Sequence, residues 1–108
     1  MALELRIRDH QFEPNERVRI ARSPNVGGEI APAYLVLHYT AGRSLDSSVA
    51  HFMSPAAQAS AHLVVGRDGR IVQMVPFNRA AWHAGRSAWK GVQGLNQHSI
   101  GIEMDNAG

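Results

Sequence analysis

From Ala33 to Leu37 the chain carries an unbroken run of apolar and aromatic residues, which continues as His38-Tyr39-Thr40-Ala41-Gly42. Near-continuous apolarity over the length of one strand, without alternation, predicts a central strand covered on both faces. Such a strand needs a sheet around it and layers above and below. The run ends in an imidazole, a hydroxyl and a glycine turn. Imidazole is the commonest protein metal ligand and a general base near neutral pH. Strand ends are where a rigid sheet aims such groups into a cleft. On this stretch alone, a core histidine held by one hydrogen bond is the plainer reading.

The rest of the chain supplies the other elements. Residues 17–21 form a short edge strand, and Ser23-Pro24-Asn25-Val26-Gly27-Gly28 reads as a loop. Ser44 to Ser48 offers helix N-cap residues. Leu45, Val49, Phe52 and Met53 then make the apolar stripe of a short amphipathic helix, with His51 off that stripe. The helix should stop near Ser54-Pro55, because a residue before proline avoids the helical region. Ser60–Gly66 and Arg70–Val75 read as two antiparallel strands joined through Arg67-Asp68-Gly69, where Asp-Gly tolerates positive φ. Phe77 to Asn96 has no sustained period, and long loops of that kind are usually functional. Ser99–Met104 is a further strand, with Ile100, Ile102 and Met104 on one face and Gly101, Glu103 and Asp105 on the other. Residues 1–32 are expected to be an N-terminal extension and loop, and 33–108 the first part of a single domain.

Composition narrows the function classes. A chain of 108 residues supports one core. It has no cysteine, which excludes a disulfide scaffold and every thiolate zinc site. Net charge is +2. Arg17, Arg19 and Arg22 alternate with apolar residues, as on a strand's solvent face. No nucleic-acid partner is expected from so sparse a footprint. No stretch approaches the roughly 20 apolar residues of a membrane span. The charged N-terminus lacks the apolar core of a signal peptide. The cytoplasm is the expected location, or the periplasm or exterior if a leader has been removed.

Several residues are placed for chemistry. Ala81-Trp82-His83-Ala84-Gly85-Arg86-Ser87-Ala88-Trp89 sets an imidazole between two indoles, whose flat apolar area and N–H suit a sugar ring or peptide backbone. Glu103 faces away from its isoleucine neighbours. Such a carboxylate is either exposed or lodged in a site; on a sheet covered on both sides it belongs to a site, and a buried carboxylate with a raised pKa suits general acid–base work. His62 opens a strand and, in one register, shares a face with His38. It suits a supporting or substrate-contacting role better than metal ligation. Gln73 interrupts an apolar strand face, as a substrate contact or a satisfied amide. His98 reads as surface, and His10 carries no signal.

Taken in order, Leu37-His38-Tyr39-Thr40-Ala41-Gly42, Ser60-Ala61-His62-Leu63-Val64-Val65, Arg67-Asp68-Gly69-Arg70-Ile71-Val72-Gln73, Trp82-His83-Ala84-Gly85-Arg86-Ser87, Asn96 and Ser99-Ile100-Gly101-Ile102-Glu103-Met104 resemble the type-2 N-acetylmuramoyl-L-alanine amidases. That family is related to phage amidase endolysins and peptidoglycan recognition proteins. The resemblance covers about residues 33–106. It implies an α/β fold, a mixed central β-sheet flanked by helices. It implies a zinc hydrolase cutting the amide between N-acetylmuramic acid and L-alanine in peptidoglycan or muropeptides. His38 corresponds to the first zinc ligand and Glu103 to a catalytic carboxylate. Tyr39, His62, Trp82, His83, Ala84, Gly85 and Asn96 correspond to the substrate groove. In the family a second histidine and an aspartate or cysteine complete the zinc site later in the chain, and this sequence stops before them. The expectation is that a C-terminal segment or a second chain supplies them and that this chain alone is inactive. The alternative is a non-catalytic peptidoglycan-binding module.

Overall fold

The computed structural model describes residues 4–39, 44–84, 88–89 and 92–105. Short strands dominate: β1 (Ile7–Arg8), β2 (Gln11–Phe12), β3 (Val18–Ile20), β4 (Val26–Glu29) and β5 (Tyr34–Tyr39) precede helix α1 (Leu45–Met53). After it come β6 (Leu63–Val65), β7 (Ile71–Gln73), β8 (Arg79–Ala81), β9 (Ala88–Trp89), β10 (Val92–Gln93) and β11 (Ser99–Met104). The single-turn helices Pro55–Ala57 and Leu95–Gln97 lie between.

Five strands form the central sheet, in the order β3-β7-β6-β11-β5. β11 runs parallel to both β5 and β6, β7 runs antiparallel to β6, and β3 runs parallel to β7, so the sheet is mixed as expected. β1–β2, β4–β8 and β9–β10 are separate two-stranded pairs. The β6–β7 connection closes with the Gly69 N–H on the Gly66 carbonyl at 3.0 Å. Gly69 has φ +87°, the conformation its lack of Cβ permits.

The local signals for α1 act as read. Ser44 caps the helix, its side chain accepting from the Ser47 N–H while the Ser47 hydroxyl accepts from the Ser44 N–H. Leu45, Val49 and Phe52 turn inward with Ser48 and pack on Ala61, Val64, Val72 and Met74. Met53, expected in the stripe, is exposed instead, because a nine-residue helix buries too narrow an arc to include it. The opposite face of the sheet carries a second cluster of Phe12, Val18 and Leu63 with Phe77, Ile71 and Ile102. The Phe12 and Phe77 rings meet edge to face at 5.4 Å. Gln73, buried in that region, is a satisfied amide: its Oε1 accepts from the Phe12 N–H at 2.7 Å and its Nε2 donates to the Val75 carbonyl at 3.0 Å.

Three expectations are corrected. β5 is an edge strand, not a central one. Tyr34, Val36 and His38 are half-buried, while Leu35, Leu37 and Tyr39 are 70%, 53% and 58% exposed. Apolar composition reports that a strand can be covered, and no described element lies over that face. Residues 1–32 are not a mere extension. β3 closes one edge of the central sheet, and β4, read as loop, pairs with β8. The Asn25 amide Nδ2 also donates to the Ser54 and Ala59 carbonyls, at 2.9 Å each, tying this segment to the end of α1. Phe77–Asn96 holds β8, β9, β10 and the Leu95–Gln97 turn rather than irregular chain alone. Among the described residues α1 is the one α-helix, packed on one face of the sheet, and no helix is long and apolar enough to cross a membrane.

Candidate active site

β5 and β11 build the site between them. Their parallel register pairs Tyr34 with Ser99, Val36 with Gly101 and His38 with Glu103. Paired residues of adjacent strands share a face. His38 and Glu103 therefore stand side by side on one surface of the sheet, with Val64 of β6 next in the row. The His98 carbonyl accepts from both Ala33 and Tyr34 N–H groups, at 2.8 and 3.1 Å, and anchors the start of β5 to β11.

The third member of the site is His83, which follows β8. Its Nδ1 lies 3.1 Å from His38 Nε2, with the rings 5.3 Å apart and steeply inclined. Its Nε2 lies 3.0 Å from the Ser99 hydroxyl. The ring rests on Gly101, and a Cβ at that position would fall inside it. Gly101 is therefore required by close approach rather than by φ. Asn96 holds the backbone behind the ring: its Oδ1 accepts from the N–H groups of His83 and Ala84, at 3.1 and 2.9 Å. Burial holds the His83 pKa down, to about 4, with repulsion from the His38 and His62 imidazoles adding to it and a hydrogen bond to the Ser99 main chain opposing it. The ring is neutral at pH 7.

His62 lies beneath this surface. It is 0% exposed. Its Nε2–H donates to the Arg79 carbonyl at 2.7 Å, and its Nδ1 accepts from the Gly101 N–H at 3.0 Å. Burial lowers its pKa, against the raising effect of the Arg79 bond. Of the supporting and substrate-contacting roles expected for His62, these bonds match the supporting one: both nitrogens are spent inside the fold, joining β11 to β8. Tyr39, by the alternation along β5, is exposed on the face opposite His38. Trp82 is partly exposed next to His83, with its main chain bonded to Ser60 at 2.9 Å in both directions. Ala84 is half-buried beside the Asn96 clamp. Gly85 lies outside the described residues.

Two contributors were not anticipated. Ser99 supports His83, and Ser60 supports Trp82. The signal for Ser99 was present in the alternation Ser99-Gly101-Glu103, a row of small and polar residues on one strand face.

As a metal site the donor set is partial. Among the described residues no three His, Cys, Asp or Glu side chains converge to hold an ion. An imidazole at a strand end beside a carboxylate suits zinc as one ligand with an acid–base neighbour, and a complete site would need two further ligands.

His38 and Glu103 thus share one face of a mixed sheet, with the His83 ring resting beside them on Gly101. The family model described as N-acetylmuramoyl-L-alanine amidase matches residues 28–108, and the chain belongs to that family. It is 46% identical over 81 residues to N-acetylmuramoyl-L-alanine amidase AmiD of Escherichia coli K12, covering 68% of this chain and 28% of AmiD. A crystal structure of a selenomethionine AmpD derivative superposes with TM-score 0.70 at 32% identity, over 85% of this chain and 63% of that one. The complex of E. coli AmiD with the substrate anhydro-N-acetylmuramic acid-L-Ala-D-gamma-Glu-L-Lys superposes with TM-score 0.60 at 37% identity, over 96% of this chain and 40% of AmiD. The chain thus spans less than two thirds of the length of these relatives.

Proposed function

We propose that the protein carrying this chain is a zinc-dependent hydrolase of the amide between N-acetylmuramic acid and L-alanine in peptidoglycan or muropeptides. The observation that carries this reading is the register pair His38–Glu103, which sets an imidazole and a carboxylate side by side on one sheet face. Family membership and the muropeptide bound by AmiD support the substrate class.

His38 is the residue of this chain that would hold zinc, through one bare ring nitrogen. When bound, zinc would lower the pKa of a water to about 7 and polarise the scissile carbonyl. The remaining work falls to side chains. Glu103 takes the proton of the attacking water and returns it to the leaving amine of L-alanine. Trp82 offers an indole surface to the sugar or peptide. Asn96 fixes the His83–Ala84 backbone and so helps hold the His83 ring on Gly101.

The test is release of stem peptide from a purified muropeptide by the full-length protein, with zinc content measured alongside. Zinc uptake with turnover is the expected result. Glu103→Gln should keep zinc and cut turnover by about 100-fold or more, the usual weight of a lost general base. Unchanged turnover would remove Glu103 from the mechanism. Tight muropeptide binding without turnover in the wild type would make the domain a binding module.

A further inference from the structure

We propose that Ser99 and His83 lock His38 in a single tautomer, with its proton on Nε2 and the bare lone pair on Nδ1. The argument starts from a group that has no choice. A backbone carbonyl only accepts hydrogen bonds. Ser99 Oγ lies 2.6 Å from the Leu95 carbonyl oxygen, so the one hydroxyl proton of Ser99 points there. Only lone pairs are then left on Oγ to face His83 Nε2 at 3.0 Å, and that nitrogen must carry its proton. A neutral imidazole has one N–H, which leaves His83 Nδ1 as an acceptor. His38 Nε2 lies 3.1 Å from it and must therefore be the donor. His38, also neutral when it serves as a ligand, is left with Nδ1 unprotonated.

One carbonyl on the Leu95–Gln97 turn thus sets the proton on three successive groups: Ser99, His83 and His38. The arrangement needs Gly101, since any side chain there would occupy the place of the His83 ring. It also needs the Asn96 clamp that holds the His83 backbone. The inference rests on the reading of His38 as a metal ligand, and it names the ligating atom. A metal-bound histidine donates its other N–H to an acceptor that fixes the tautomer and ring orientation. Here that acceptor is a neutral imidazole, which orients the ligand without adding a negative charge beside the metal. Ser99 and His83 are positioning residues.

The experiment is nitrogen NMR of the imidazoles in the metal-free full-length protein, paired with zinc competition titration, for wild type, Ser99→Ala, His83→Leu and His83→Asn. In the wild type, His38 and His83 should both appear as Nε2–H tautomers. Ser99→Ala and His83→Leu should mix the His38 tautomers and weaken zinc binding by about 10- to 100-fold. His83→Asn keeps an acceptor oxygen where Nδ1 stood and should restore the wild-type His38 ring and most of the affinity. If Ser99→Ala does not fold, the contrast between His83→Leu and His83→Asn decides. A wild-type His38 protonated on Nδ1, or variants that leave both its ring state and zinc affinity unchanged, would overturn the proposal. Expected tautomers in a wild type that takes up no zinc would uphold the lock and count against the hydrolase reading.

Discussion

Three histidines of this chain stand in contrasting states because of what surrounds each ring. His62 is enclosed and bonded at both nitrogens. His83 is bonded at both and partly open, and His38 sits at the strand end with Glu103 beside it. Burial favours the neutral form of His62 and His83, and this couples folding to pH. The folded His83 titrates at about 4 against 6.5 for an unperturbed histidine. Between those values the unfolded chain binds more protons than the folded one, so stability is full above about 6.5 and is lost as pH falls toward 4. His62, shifted in the same direction, adds to the loss. Denaturant midpoints measured across this range should fall with pH in the wild type and fall less in His83→Asn. Equal slopes in the two proteins would show that His83 titrates as an ordinary surface histidine. The sequence marks His38 and Glu103 plainly, because each breaks an apolar pattern on its own strand. It marks His62 as polar in an apolar run and leaves open whether that polarity faces a substrate or a backbone carbonyl. Only the neighbouring Arg79 and Gly101 backbone groups answer that.

At the scale of elements, the helix and the hairpin are set by local chemistry. Ser44 and Ser47 start α1, Ser54-Pro55 ends it, and the i, i+4, i+7 spacing of Leu45, Val49 and Phe52 seats it on β6 and β7. The ring of Phe52 is the largest apolar group that α1 buries. Phe52→Ala should cost about 3–5 kcal/mol, the transfer term plus the cavity left behind. Thermal or denaturant unfolding would measure it, and a loss near zero would mean that α1 does not hold the sheet. The same Phe52 carries a second duty through its main chain, since its carbonyl accepts from the Ser23 hydroxyl at 2.5 Å. The β3–β4 segment is therefore bound to the helix end by polar contacts that leave no periodic trace, which is why residues 23–28 read as a loop. β5 errs the other way. Its composition suits cover on both faces, and its alternating burial shows one face open beside β11.

For the molecule as a whole, the sheet order β3-β7-β6-β11-β5 is what makes a site. It inserts the last strand between the fifth and the sixth, and so brings Glu103 next to His38 from far along the chain. β8 then delivers His83 over Gly101. A ligand that binds only this assembled state stabilises all of it. In the full-length protein, zinc at about 100 times its dissociation constant should add about 2.7 kcal/mol to unfolding, and a chelator should remove the gain. An unfolding temperature indifferent to zinc and chelator would remove the metal from the proposed function. What the sequence determined by itself is local: the period that separates strand from helix, the serine cap, the glycine turn, and the motif order that resembles an amidase. These depend on side chains a few positions apart. Strand neighbours, the enclosure of His62, the open face of β5 and the proton positions along Leu95, Ser99, His83 and His38 belong to the tertiary structure. Each of them depends on groups brought together by long-range pairing, and no local pattern encodes which groups those will be.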